Sequence, residues 1–225
     1  MKFHIGMDGC PAGWVMIAER DGRLAMALSA RFPILPRRAM TAAMTAIDMP
    51  IGLSDDGPRG CDSQARKLLS PRGSCVFPVP ARGALQFDDY ASANGWSKQA
   101  TGKGISKQSW NIMPRIRELD ALVSPADQAT MREAHPELAF LRLNKMVPLP
   151  PKATADGQRV RLALLAQAGF DLAPFLSVLP RKWVKADDIL DAVVLCLIAR
   201  RCADGTALCL GERTDATGKR MEIWY

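Results

Sequence analysis

Histidine is nearly missing from this 225-residue chain, with only His4 and His135, and the six cysteines at positions 10, 61, 75, 196, 202 and 209 form neither a CxxC pair nor a Cys/His cluster. Structural zinc is thereby removed from the expected chemistry. No apolar run reaches transmembrane length, and Met1-Lys2-Phe3-His4-Ile5 leads into strand-like sequence without a signal-peptide core. A cytoplasmic protein with free thiols and no membrane partner is expected. No repeat, low-complexity tract or composition break divides the chain, so one domain over residues 1–225 with a substantial core is expected. A P-loop is absent too: Gly102-Lys103-Gly104 lacks the full glycine-lysine pattern ahead of a helix.

What the chain does carry is positive charge, +7 in net with a pI near 9.3. That surplus suits a polyanion such as nucleic acid, because phosphate neutralisation dominates such binding, although Arg and Lys are dispersed and not gathered into one tract.

Apolar residues alternate through residues 3–8, and the Gly9-Cys10-Pro11-Ala12-Gly13 turn returns the chain into Trp14–Glu19. Asp21-Gly22 is a hairpin signal, followed by Leu24, Met26 and Leu28 at period two, so three antiparallel strands are expected. A helix over Leu35–Ala43 then leads to a fourth strand ending at Asp48, added parallel to the first. Residues from about 54 to 125 read as a helical excursion, with Asp62–Leu69 helical and Arg72–Arg82 extended. A short fifth strand from Thr130 ends at Pro136. Helices follow over Glu137–Leu143, Gln158–Ala168 and Asp187–Cys202, and Met221–Trp224 reads as a small edge strand.

The acids carry the chemistry. Asp187, Asp188 and Asp191 fall on one flank of the last helix, at about 100° per residue, beside a stripe of Ile189, Leu190, Val193, Val194, Leu197 and Ile198. Capping needs one such acid, here assigned to Asp187, and the crowding of the others calls for a cation. Asp8 and Asp48 stand at the ends of the first and fourth strands. Each alone reads as a turn residue, before Gly9 and before Met49-Pro50, but a sheet of this order places them side by side, where unpaired carboxylates repel.

Gly6-Met7-Asp8-Gly9-Cys10-Pro11-Ala12-Gly13-Trp14, Ile47-Asp48-Met49-Pro50-Ile51-Gly52-Leu53, Arg59-Gly60-Cys61-Asp62, Val76-Phe77-Pro78, His135-Pro136-Glu137 and Asp188-Ile189-Leu190-Asp191-Ala192 together resemble the domain-of-unknown-function 429 family, described as predicted RNase H-like nucleases. The resemblance spans nearly the whole chain. It implies an α/β fold, a ribonuclease H-like mixed five-stranded sheet with flanking helices and a helical insertion between the fourth and fifth strands. It further implies a metal-dependent nuclease. Two-metal phosphodiester hydrolysis needs hard oxygen ligands for Mg²⁺ or Mn²⁺, which Asp8, Asp48, Asp188 and Asp191 would supply.

Glu137 is a further candidate ligand or base and His135 a candidate proton shuttle; both also fit a proline-started helix with an acid in its first turn. His4 alternates with strand residues and reads as structural. Arg59, Arg72, Arg82 and Lys103 are candidate phosphate contacts, Lys152 matches a Lys-and-Arg segment of the family, and Trp96 and Trp110 read either as base-stacking platforms or as core. Two rivals stand beside the nuclease: an ATP-hydrolysing or phosphoryl-transfer enzyme of the actin-like superfold, and a non-catalytic nucleic-acid binding module.

Overall fold

The structure, a computed structural model, describes residues 3–33, 44–176 and 180–225. The helix expected at Leu35–Ala43 lies outside them. The chain divides into two compact units, one of Met1–Asp48, Thr130–Leu208 and Trp224–Tyr225, the other of Met49–Ala129 and Cys209–Ile223. In chain order the elements are β1 (His4–Cys10), β2 (Gly13–Arg20), β3 (Arg23–Ser29) and β4 (Met44–Ile47); then α1 (Gly60–Leu68), α2 (Tyr90–Thr101) and α3 (Lys107–Leu122); then β5 (Met131–Glu133), α4 (Pro136–Leu143), α5 (Ala155–Gln167), α6 (Ala173–Leu176) and α7 (Ala186–Ala203); and finally β6 (Cys209–Thr214) and β7 (Arg220–Trp224).

In the first unit the strands form one mixed sheet in the order β3-β2-β1-β4-β5. The three-stranded meander is as expected from its alternation. Asp21 and Gly22 both adopt positive φ, 52° and 77°, the signature of a type I′ turn whose twist matches the flanking strands. β4 lies parallel to β1 with Gly6 opposite Ala46 and Met7 opposite Ile47, and β5 lies parallel to β4. This is an α/β fold with a five-stranded mixed sheet and flanking helices.

Helix α7 crosses β1, β4 and β2. Every residue from Ile189 to Ala199 is buried, so the helix is enclosed on all sides and its apolar run is more than a stripe. Its contact with β1 depends on Gly6. A Cβ there would lie 1.9 Å from the Ala192 carbonyl oxygen and 2.5 Å from the Cys196 nitrogen, both backbone atoms. The approach is sealed by sulfur: the Gly6 N–H donates to Cys196 Sγ at 3.1 Å, and that thiol donates to the Ile17 carbonyl at 2.8 Å. Burial pushes the Cys196 thiol far above its ordinary range, so it stays protonated and can donate.

Several boundaries differ from expectation for local reasons. α5 begins at Ala155 because Thr154 caps it, its hydroxyl accepting from the Gly157 N–H at 3.0 Å. The stretch from Arg72 to Arg82 is extended only in part: Gly73–Cys75 forms a 3-10 turn, closed by the Cys75 and Val76 N–H groups donating to the Arg72 and Gly73 carbonyls. The α7 cap falls to Asp188 and not Asp187, since Asp188 Oδ2 accepts from the Lys185 N–H at 3.0 Å. The expected terminal strand exists as β7 but pairs with β6 in a separate two-stranded sheet. Gly211 and the mixed polarity of Cys209–Thr214 hide β6 from a period-two reading.

The second unit takes in the 54–125 stretch together with Cys209–Ile223. Its helices stop and start on clear chemistry: Asp89 accepts from the Ser92 N–H, Ser106 from the Ser109 N–H, and Gly102 ends α2 at φ 71°. Ala84, Ala93, Ile105 and Met113 form a small core against which Phe87, Tyr90, Trp96 and Trp110 pack. Both tryptophans therefore serve this core. Among the described residues no helix is long and apolar enough to cross a membrane.

Two glycines separate crowding from helix propensity. Gly6→Ala should lose about 3 kcal/mol or more in denaturant unfolding, because backbone must move on both sides of the new methyl. Gly95→Ala, in α2 with nothing within 4 Å of the added atom, should gain about 0.5 to 1 kcal/mol. A Gly6→Ala protein as stable as wild type would mean that α7 does not rest on β1 in this way.

Candidate active site

Register alone places the first two acids. Asp8 and Asp48 come one step after the last paired positions of β1 and β4, Met7 and Ile47, and the Asp48 N–H donates to the Met7 carbonyl at 3.0 Å. Registered residues of neighbouring strands point to the same face, and side chains alternate along each strand. Asp8 therefore shares the face of Gly6, and Asp48 that of Ala46, which is the face α7 covers. Strand and helix run in opposite senses there, since Cys196 packs beside Gly6 and Asp191 lies toward Asp8. Three segments distant in sequence thus bring Asp8, Asp48 and Asp191 to one locus.

The electrostatics follow from that convergence. Burial, then the charges of Asp48 and Asp191, hold the Asp8 carboxyl well above the ordinary carboxylate range. Burial pushes Asp48 up to about 6, against the pull of Lys152 and with a push from Glu137. Burial likewise raises Asp191 to about 6, opposed by Lys152 and its hydrogen bond and aided by Asp48 and Glu137. Asp188 is raised by its burial as well, but its Oδ2 is engaged at the helix cap. Asp191 is 1% exposed, and its Oδ1 is buried with no hydrogen-bond partner.

Lys152 supplies the compensating charge. Its Nζ lies 2.7 Å from Asp191 Oδ2. Burial acts to lower the lysine, but the charge and hydrogen bond of Asp191, reinforced by Asp8 and Asp48, hold it well above its ordinary value. Among the described residues no group of three or more His, Cys, Asp or Glu side chains is disposed to hold a metal ion. In this conformation the acids are gathered around an ammonium.

Glu137, a candidate ligand or base, has another partner. Arg161 Nη2 donates to both its oxygens at 2.6 and 2.8 Å, and both side chains are buried. Its charge reaches Asp48 and Asp191, while its lone pairs face a guanidinium. His135 is the half-buried N-cap residue of α4, immediately before Pro136 at the first helical position. His4 Nδ1 donates to Glu19 Oε2, 2.9 Å away, so the residue joins β1 to β2 as a structural pair.

The basic candidates of the second unit have partners of their own. Arg59 is 2% exposed, bound to Asp62 at 2.6 Å and to the carbonyls of Ile51 and Gly52, so it is not open to a phosphate. Arg82 is held by Asp120 and Asp215, with Lys219 completing the network on Asp120. Arg72 is partly buried and Lys103 exposed on the loop that ends α2, where its carbonyl accepts from Ser97. Sequence reasoning treated Lys152 as a surface or phosphate contact; its role beside Asp191 was hidden because the 39-residue separation carries no periodic signal.

The described structure is thus an α/β protein with a carboxylate cluster at the ends of two parallel strands. Over residues 6–216 the chain matches the family described as protein of unknown function (DUF429), and it belongs to that family. No curated protein and no solved structure gives a match.

Crowded acids leave a pH signature. Asp8, Asp48 and Asp191 all titrate higher in the fold than their ordinary value of about 3.9. The native state therefore binds more protons than the unfolded chain between that value and about 6 or above. Their contribution to stability falls as pH rises through this window, and the penalty is fully present above it. Asp8→Asn removes a charge yet keeps an acceptor for the Gly9 N–H, now 2.6 Å from Asp8 Oδ1. In metal-free buffer at pH 8 it should be more stable than wild type by on the order of 2 kcal/mol, with the difference vanishing near pH 4. A difference independent of pH would show that these charges are not crowded.

Proposed function

We propose that this protein is a Mg²⁺- or Mn²⁺-dependent phosphodiesterase acting on nucleic acid, built on a ribonuclease H-like plan. The observation that carries the reading is the convergence of Asp8, Asp48 and Asp191 on one face, with one Asp191 oxygen buried and unpartnered. Burying mutually repelling carboxylates is costly unless a cation compensates them, so a fold that gathers them from three segments is serving more than stability. The sheet order, with two antiparallel pairings on one side of β1 and two parallel pairings on the other, is compatible with that plan, in which the helical stretch between β4 and β5 is an insertion.

The residues fit such a cation in donor chemistry: the oxygens are hard, they come from rigid elements, and one lacks a partner. Asp8, Asp48 and Asp191 would hold it. Asp188 keeps Oδ2 on the Lys185 N–H and would have its other oxygen to offer, and Glu137 acts through its charge while Arg161 holds it. Bound there, Mg²⁺ or Mn²⁺ would stabilise charge developing on a phosphate oxygen. Asp8 and Asp48 are fixed by strand register, so little reorganisation is needed when charge develops beside them. The net charge of +7 favours a polyanionic substrate. The phosphoryl-transfer rival shares the acid cluster, but no observation among the described residues favours it over the nuclease reading, and it serves as the competing outcome of the test.

Single-stranded RNA, duplex DNA, RNA–DNA hybrid and branched DNA incubated with Mn²⁺ should reveal at least one cleaved substrate, with activity falling by about a thousandfold or more in Asp8→Asn and in Asp48→Asn. Millimolar Mn²⁺ should also raise the melting temperature of wild type and not of Asp8→Asn. ATP turnover with no cleavage would move the assignment to the rival, and an unchanged melting curve would remove the metal enzyme altogether.

A further inference from the structure

Two cations meet the acid cluster, and they are held very differently. Arg161 is 1% exposed, doubly bonded to Glu137, and bonded through Nη1 to the carbonyls of Pro150 and Gly157 at 3.0 and 2.9 Å. It is a fixed part of the fold. Lys152 has a side chain 43% exposed and one hydrogen-bond partner, Asp191 Oδ2. A lysine with four rotatable bonds and a single bond to surrender can swing into water once another cation takes its place at Asp191, whereas a forked guanidinium with four bonds cannot.

The backbone that carries Lys152 is nonetheless fixed. Arg161 grips the Pro150 carbonyl, and the Pro151 carbonyl accepts from both the N–H and the hydroxyl of Thr154, at 3.0 and 2.8 Å. Gly157 lets this strap lie against the first turn of α5, since a Cβ there would come within 2.0 Å of the Pro151 oxygen. A rigid anchor with an exchangeable tip delivers one positive charge to Asp191 and leaves the other Asp191 oxygen without a partner.

We infer that Lys152 is a tethered counter-ion that competes with the divalent cation: its ammonium offsets the charge of Asp191, and in part that of Asp8 and Asp48, in the metal-free protein and must leave Asp191 for metal to enter. The inference rests on the metal reading above and concerns how that site is regulated. Metal-free protein would then be a stable resting form, with the acids kept from binding a cation until its concentration exceeds a threshold set by the lysine. Once displaced, the ammonium stands beside the cluster and is free to meet a phosphate.

The test is calorimetric titration of chelator-stripped protein with MnCl₂. Lys152→Met, of similar length and uncharged, should bind Mn²⁺ about tenfold more tightly than wild type, the equivalent of one charged hydrogen bond no longer broken on entry. Lys152→Arg should bind no more tightly than wild type. Without metal, Lys152→Met should melt below wild type, because three carboxylates have lost their cation. Equal or weaker Mn²⁺ binding by Lys152→Met, with wild type binding normally, overturns the competition and leaves the metal reading in place; no heat of binding in either protein overturns the metal reading itself. Should Lys152→Met not fold, wild type answers alone: acylation of Lys152 by an amine-reactive ester, followed by mass spectrometry, should rise several-fold on adding Mn²⁺ as the ammonium leaves Asp191. Labelling unchanged at saturating Mn²⁺ would overturn the proposal.

Discussion

The backbone contact between α7 and β1 at Gly6 is the constraint on which the first unit depends. Without a side chain at that position, a helix carbonyl and a helix N–H approach the strand more closely than any Cβ allows. Cys196 fills the resulting gap with a protonated thiol that accepts from one strand and donates to the next. Asp191 is carried inward by this placement: five residues before Cys196, it is brought to the end of β1 and shielded from water, whatever the intrinsic preference of a carboxylate. The electrostatic cost of the site is thus imposed by packing, and the hydrophobic burial along Ile189–Ala199 is what sustains it.

Charge compensation then divides between permanence and exchange. A buried ion pair such as Glu137–Arg161 is weak evidence for stability, because desolvation offsets much of the Coulomb gain, but breaking either half leaves a buried charge alone. Its value here is geometric: Arg161 ties α4 and α5 to the Pro150 strap and so fixes where Lys152 begins. In the Lys152–Asp191 pair the carboxylate is buried but the lysine side chain is 43% exposed, so this cation has a route into water that Arg161 lacks. A cluster whose compensating charge sits on a partly exposed side chain differs in this from one closed by a buried guanidinium.

Legibility followed the range of the interactions. The meander, the parallel fourth strand and the helix boundaries near Pro136 and Ala186 could be read because alternation, Asp21-Gly22 and proline placement act within a few residues. Asp8 and Asp48 were legible as neighbours because parallel register follows from topology. The partners of the cations were not. Arg59 with Asp62 spans one helical turn and lay within reach of a spacing argument, but its burial does not show in sequence, and Lys152 with Asp191 or Arg82 with Asp215 joins segments that only the tertiary fold brings together. The cap was misassigned for a related reason: three adjacent acids offer equal chemistry, and the chain's path at Lys185 selects Asp188.

The same partners change what the net charge means. An arginine bound to an acid within its own unit has most of its outward field cancelled, so Arg59, Arg82 and Arg161 do little to draw in a polyanion. Pairing one cation with one acid leaves the surplus of +7 unchanged in total and moves it onto the side chains that remain exposed. In the second unit these include Lys67, Lys98 and Lys103, the last of them on the loop that terminates α2. Flexible lysines of this kind attract phosphate without reading geometry, whereas a forked arginine fixes it. Such a surface suits long-range attraction of anionic groups more than recognition of one particular arrangement of them.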